Sequence, residues 1–316
     1  MKASTISTPL AVGFVVVAAS LCFVQIKEGL DYAPPLLFAA LRTLLAGIVI
    51  LTATVFLQGR IFLAPLKWVW IVPLGLFATT LTFGSMFLAP VFASAGLASV
   101  LGNLQPLVLL VLAVFFLNER ITRGKLTALF LGVVGILFLF WNQLGSGEGN
   151  PLTGSLLAVV SSISAAVGSV LVKRMQPGRD LLPVVGWQLI FGSMVLLGIS
   201  LLWETGGIAW TFSFIRILLF LSLFETALGT LAWFWLLQRN EAGRLGQALF
   251  LIPVLGVFFA VVFRGESPAI YQWIGMGVIL AGVAAASLDP LMKKRVISPR
   301  SRFTDNKNGD RLTHGR

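Results

Sequence analysis

Residues 68–118 contain no charged side chain, and charge-free apolar runs long enough for one membrane crossing, about 20 residues each, recur from one end of the chain to the other. The 68–118 run is too long for a single crossing. Pro90 and the small residues at 94–96 are therefore expected to hold a tight turn between two helices. Only 11% of the residues are charged and 57% are hydrophobic, whereas an ordinary soluble domain is about 25% charged. Such a chain has too few polar groups to cover itself in water, so its solvent is the lipid bilayer.

Charge-free runs and Pro, Gly and Asn punctuation place ten spans. They fall at 9–26, 35–57, 68–89, 93–117 and 124–142, then at 152–172, 183–203, 214–237, 245–263 and 269–288. The polar, glycine-rich stretch 145–151 divides the two sets. Lys2 followed by an apolar stretch has the look of a signal peptide, but no convincing cleavage site follows, and the segment reads as a retained first helix. The single cysteine, Cys22, permits neither a disulfide framework nor a thiolate metal site and reads as a small packed side chain.

A net charge of +11 would suggest nucleic acid in a soluble protein. Here the basic residues sit in short loops and in the tail, so nucleic acid is not expected as a partner. With the N-terminus inside, the inner loops hold Arg60, Lys67, Arg120, Arg123, Lys125, Lys173, Arg174, Arg179, Arg239 and Arg244. The outer loops hold Lys27, Arg216 and Arg264. Lysine and arginine are retained on the cytoplasmic side, so both termini are expected there. The basic tail at 291–316 is expected to be disordered and to act as a topology flank, with lipid attachment through Lys293, Lys294 and Arg295 the lesser reading.

The chain also repeats itself. Ala95, Gly96, Pro106, Glu119 and Gly135 correspond to Ala242, Gly243, Pro253, Glu266 and Gly282 at an offset of 147, and Leu76-Phe77-Ala78-Thr79 falls on Leu223-Phe224-Glu225-Thr226 in the same register. One residue off that register, Arg42 falls on Gln188. Each half holds five spans, an odd number, so the second half enters the membrane with opposite orientation. The expected fold is an all-α integral membrane protein of ten transmembrane helices, built as two inverted-topology five-helix repeats at 1–145 and 146–290. Carriers with inverted repeats commonly place the substrate near the midplane between the halves. Pro106 and Pro253, read as equivalent mid-helix positions, are expected to kink two opposed helices.

The ten spans, the segment Leu41-Arg42-Thr43-Leu44-Leu45-Ala46, and the two blocks ending Leu117-Asn118-Glu119-Arg120 and Arg264-Gly265-Glu266 resemble the drug/metabolite transporter superfamily, EamA-type, over residues 8–288. The resemblance implies a multi-pass carrier of the bacterial inner membrane, often an exporter of amino acids or related metabolites, with a central cavity between the repeats. The expected partners are a small-molecule substrate, the lipid bilayer and protons, with the protein a monomer or homodimer.

Glu225 is the first candidate for the working site. An acidic residue at a helix centre costs about 2.5–3.5 kcal/mol, which suits it to carry a coupling proton or to meet a substrate ammonium group. The other reading is a carboxyl that only ties helices together. Gly229 and Trp233 share its helical face. Arg42 lies well inside the second span and is read first as structural, with a substrate carboxylate as the alternative. Asn103 and Gln105 have no polar counterparts in the repeat, where Phe250 and Ile252 stand, an asymmetry that suggests a site specialised on one half. Gln188 and Gln247 are weaker candidates. Glu119 and Glu266 lie beside Arg120 and Arg264, where local pairing accounts for them. No histidine cluster, Walker motif or Ser-His-Asp set occurs, and the one histidine, His314, lies in the tail. Neither an enzyme nor a metal or other cofactor is therefore expected. A membrane-embedded lipid-modifying enzyme and a channel or scaffold are the alternative classes. Reporter fusions after Gly59 and in the tail should read cytoplasmic, and one within 145–150 external; an external tail would overturn the ten-span reading.

Overall fold

A computed structural model describes residues 7–59, 61–93, 101–141, 151–264 and 268–288. The turn expected at 94–96, the linker at 145–150, Glu266 and the tail at 291–316 lie outside these residues. Among the described residues the chain is helical throughout, with no strand. The elements are α1 (Thr8–Gly29), α2 (Pro35–Gln58), α3 (Pro65–Leu74), α4 (Thr82–Phe92), α5 (Gln105–Leu117), α6 (Arg123–Leu139) and α7 (Pro151–Met175). They continue as α8 (Leu181–Trp203), α9 (Phe212–Phe220), α10 (Thr230–Arg239), α11 (Ala242–Ala248), α12 (Leu251–Arg264) and α13 (Ile270–Leu288).

Seven helical stretches among the described residues are long and apolar enough to cross a membrane: Thr8–Gly29, Pro35–Gln58, Lys67–Phe92, Leu152–Met175, Gly178–Trp203, Phe212–Arg239 and Ala242–Phe259. Gln105–Leu117 and Ile270–Ala285 are shorter apolar helices. The outside of the bundle carries bare apolar side chains such as Phe56, Phe115 and Leu202, as lipid-facing surfaces do. The architecture is that of a multi-pass membrane protein.

Helix starts and stops follow local chemistry. Proline stands in the first turn of α1, α2, α3 and α5, where a missing N–H costs nothing because that donor has no intrahelical partner. Three helices are followed by left-handed residues, Gly59 (φ 68°), Asn118 (φ 53°) and Gln176 (φ 47°); glycine and asparagine adopt this conformation with least strain.

Two long helices widen into π-helical turns, Gly75–Leu81 between α3 and α4 and Leu221–Gly229 between α9 and α10. The first follows Pro73, which supplies no backbone donor, and the Thr82 hydroxyl donates back to the Phe77 carbonyl at 2.7 Å. In the second, the Ser222 hydroxyl donates to the Leu218 carbonyl at 2.6 Å, competing with the helical backbone bond. Helix α8 lies against the first π turn and α2 against the second. The approach is close. A Cβ on Gly192 would sit 2.4 Å from the Thr79 Cβ and 2.6 Å from the Gly75 carbonyl.

The prolines Pro106 and Pro253 differ from the expected mid-helix kinks. Each follows a break in the helix, at Asn103–Leu104 and at Leu249–Phe250, and falls in the first turn of the helix that resumes. Breaking the helix just upstream removes the clash between the proline ring and the carbonyl four residues back, so the chain interrupts rather than bends.

Polar groups gather at the two ends of the bundle. At one end the Glu204 carboxylate accepts the Leu36 and Leu37 N–H groups at 2.7 and 2.9 Å, meeting free donors at the start of α2. At the other, Lys67 pairs with Asp180 at 2.5 Å, and Lys125, wholly buried, pairs with Glu241 at 3.0 Å. Glu119 does not act through Arg120. It is buried, and it accepts the Ala242 and Gly243 N–H groups at 2.6 and 3.0 Å, with Lys125 Nζ at 3.4 Å and Lys173 Nζ at 3.7 Å. Arg120 is exposed. A buried carboxylate gains more from orphan donors and buried ammonium groups than from a solvated guanidinium. Glu119→Ala is expected to lower stability by about 1–3 kcal/mol, the cost of stranding buried donors, with Glu119→Gln between the two; thermal unfolding of purified protein in detergent measures both.

Candidate functional site

The helices enclose a cavity of about 730 Å³. It reaches the end of the bundle that carries Lys27 and Asp31, both exposed. None of Lys67, Glu119, Lys125, Lys173 or Asp180 lines it, so the charged cluster at the opposite end lies beyond its floor.

The walls come from α1, both π-turn helices, the break before α5, α7, and the break between α11 and α12. Both π turns and both helix breaks therefore border this space. A π turn is frequent at functional sites, and non-helical backbone at membrane depth is tolerated where it lines a cavity. The carbonyls at the Asn103–Leu104 break are met by the neighbouring α7: the Ser162 hydroxyl lies 2.7 Å from both the Leu101 and the Gly102 oxygens, and the Leu101 oxygen also accepts the Leu104 N–H at 3.2 Å. Ser161 donates to the Thr82 carbonyl at 2.9 Å.

Of the residues singled out from sequence, Glu225, Gly229, Trp233, Asn103 and Gln105 all line the cavity. Glu225 sits in the second π turn. The Trp233 indole N–H donates to the Ser169 hydroxyl at 3.0 Å, which fixes the ring in the wall. Arg42 does not line the cavity. It is wholly buried behind Glu225, with its Nη2 paired to that carboxylate and its Nε donating to the Thr226 hydroxyl at 2.7 Å. The Phe83 and Phe87 rings stand 4.9 and 5.6 Å from the guanidinium carbon, within the range of cation–π attraction. Gln188 and Gln247 are buried away from the cavity; Gln188 accepts from the Thr79 hydroxyl at 2.7 Å.

Sequence reasoning missed several wall residues. Ser161, Ser162, Ser169, Thr82 and Phe83 line the cavity, as does Cys22, read only as packing. The hydroxyl run at Ser161, Ser162 and Ser164 inside an apolar helix was a usable signal. It is weak because a serine can equally bond its own helix, as Ser169 does to the Ala165 carbonyl.

Wall positions also correspond in pairs. Cys22 and Ser169, Ala78 and Glu225, Met86 and Trp233, and Gln105 and Ile252 are each 147 residues apart, and all eight line the cavity. The ties behind the wall follow the same spacing, since Thr79 and Thr226 are 147 apart and bond Gln188 and Arg42, respectively.

A multi-pass helical bundle around a solute-sized cavity with both polar and aromatic walls defines a membrane protein equipped to hold a small molecule. Comparison with known proteins gives the class its name: the EamA-like transporter family model matches residues 8–141 and again 152–288, and the chain belongs to that family. It is 32% identical over 280 residues to a protein named "Uncharacterized transporter YvbV" of Bacillus subtilis (strain 168), covering 87% of this chain and 90% of that one. It is 33% identical over 286 residues to a protein named "Probable amino-acid metabolite efflux pump" of Salmonella typhimurium (strain LT2), covering 85% and 91%. A solved crystal structure shares the fold with a TM-score of 0.77 at 21% identity, over 92% of this chain and 99% of its own. The family and these names point to a transporter rather than an enzyme.

Ser162→Ala would leave the Leu101 and Gly102 carbonyls without their hydroxyl. It is expected to lower the thermal midpoint, through a loss of about 1 kcal/mol, with little change at the exposed control Thr127→Ala.

Proposed function

We propose that this chain is a proton-linked secondary carrier that moves amino acids or related small metabolites outward across the bacterial inner membrane by alternating access. The observation that carries the reading is the cavity: large enough for a small metabolite, reaching one end of the bundle, and stopping short of the Glu119, Lys125 and Lys173 cluster at the other. A fixed pore would not be expected to end at such a cluster. The efflux-pump name of the Salmonella relative supports the direction and the substrate class.

The working architecture is ten spans in two inverted repeats, 1–145 and 146–290. Two successive matches to one family model, and the cavity's paired walls at an offset of 147, support it. With both termini cytoplasmic, the Glu119 cluster lies on the inner side and the cavity faces outward. Asn103, Gln105, Gly229 and Trp233 are the proposed substrate contacts. Pro106 and Pro253 mark the breaks about which the two halves rearrange.

Glu225 is the proposed coupling carboxyl. Arg42 and a proton are alternative partners for its charge, so proton uptake would loosen the tie between α2 and the second π turn. Glu225→Gln should fold and express, since the amide is close in shape to the protonated acid, yet lose transport driven by a pH gradient in proteoliposomes. Counterflow exchange, which moves no net proton, should survive. Full activity in both assays would show that coupling lies elsewhere, and loss of both would assign Glu225 to the substrate.

A further inference from the structure

The cavity's charges cancel in two separate ways. At its mouth Lys27 and Asp31 are of opposite sign. Deeper in, Glu225 is the charged wall residue among those described, and its balance comes from outside the cavity, from the wholly buried Arg42. Arg42 is held there by Thr226 and by the Phe83 and Phe87 rings. The counterpart of Glu225 in the first half is Ala78, and that of Arg42 in the second is Gln188. Both members of the pair are thus departures from the other half, one in each, and they meet.

From this geometry we infer that Arg42 is a specificity-determining residue: by neutralising Glu225 from behind, it makes the cavity a site for solutes of no net charge and turns it against organic cations. The physics is direct. A carboxylate in a low-dielectric wall beside Trp233 and Phe83 would hold a quaternary ammonium group by Coulomb attraction and by the ring faces. With Arg42 bonded to that carboxylate the attraction is cancelled at source, while the guanidinium stays out of the solute's reach. A zwitterionic or neutral polar solute still finds the Glu225 oxygens, the Asn103 and Gln105 amides and the Ser161 and Ser162 hydroxyls. The inference rests on the carrier reading only in taking this cavity as the solute site.

Equilibrium dialysis of full-length purified protein at neutral pH tests it, using two small aromatic ions of opposite sign, phenyltrimethylammonium and benzenesulfonate. Wild type should bind neither above background. Arg42→Gln, which keeps an amide donor for Thr226, should bind the cation at least tenfold more tightly, and Arg42→Lys, which keeps the charge, should not. Glu225→Gln should gain the anion instead, because Arg42 is then unanswered. A folded Arg42→Gln with wild-type affinity for the cation overturns the inference, and so does a wild type that binds the cation as well as Arg42→Gln. If Arg42→Gln does not fold, Glu225→Gln decides: a tenfold gain for benzenesulfonate supports the inference and no gain overturns it. The readout is binding, so a wild type that carries nothing in proteoliposomes while these swaps behave as stated would remove the carrier reading alone.

Discussion

Inside a bilayer a polar group has no water to fall back on, and the arrangement of this bundle follows from where its buried polar groups find partners. Arg42 is the most demanding of them. A guanidinium wholly buried in an apolar bundle needs a counter-charge, and other helices supply the Glu225 carboxylate, the Thr226 hydroxyl and the Phe83 and Phe87 rings, while its Nη1 makes no hydrogen bond among the described residues. Satisfying it joins α2 to the second π turn, as the Thr79–Gln188 bond joins the first π turn to α8. The tight approach at Gly192 and Gly75 makes the second tie possible.

The same demand shapes the ends and the breaks. Glu119 and Glu204 each cross to another helix start and occupy donors that the helix itself leaves unpaired. Ser162 does the complementary work for carbonyls released ahead of α5. Serines of α7 meet backbone carbonyls at the end of the first π turn and at the break before α5, so these openings are answered from a neighbouring helix. Those irregular segments converge on one cavity, where the regular helices α1 and α7 complete the wall.

Much of this was legible in the chain as a string of residues. Apolar runs and loop charges marked the membrane class. Glu225 stood out because its cost in an apolar run is high whatever the fold, and Gly229 and Trp233 followed from helical spacing alone. Asn103 and Gln105 stood out against Phe250 and Ile252. Other features left little trace. Pro106 and Pro253 carry the same residue signature whether a helix bends or breaks; at the first break Ser162 meets the carbonyls from another helix, a partner that no local pattern names. Glu119 has an arginine next to it in sequence, but its partners come from α11, Lys125 and Lys173, and no local pattern names them.

What the sequence determined by itself was the solvent, the run of helices and the residues too costly to be idle, because hydrophobicity, periodicity and the penalty of a buried charge are properties of short segments. Pairing was decided only by the tertiary structure. That Arg42 answers Glu225 across 183 positions of sequence, that one lines the cavity while the other stands behind the wall, and that one end of the cavity lies open while charges gather beyond the other, all depend on which helix faces lie against each other. Those contacts join distant segments, and their free energy resides in the packed bundle rather than in any stretch of chain.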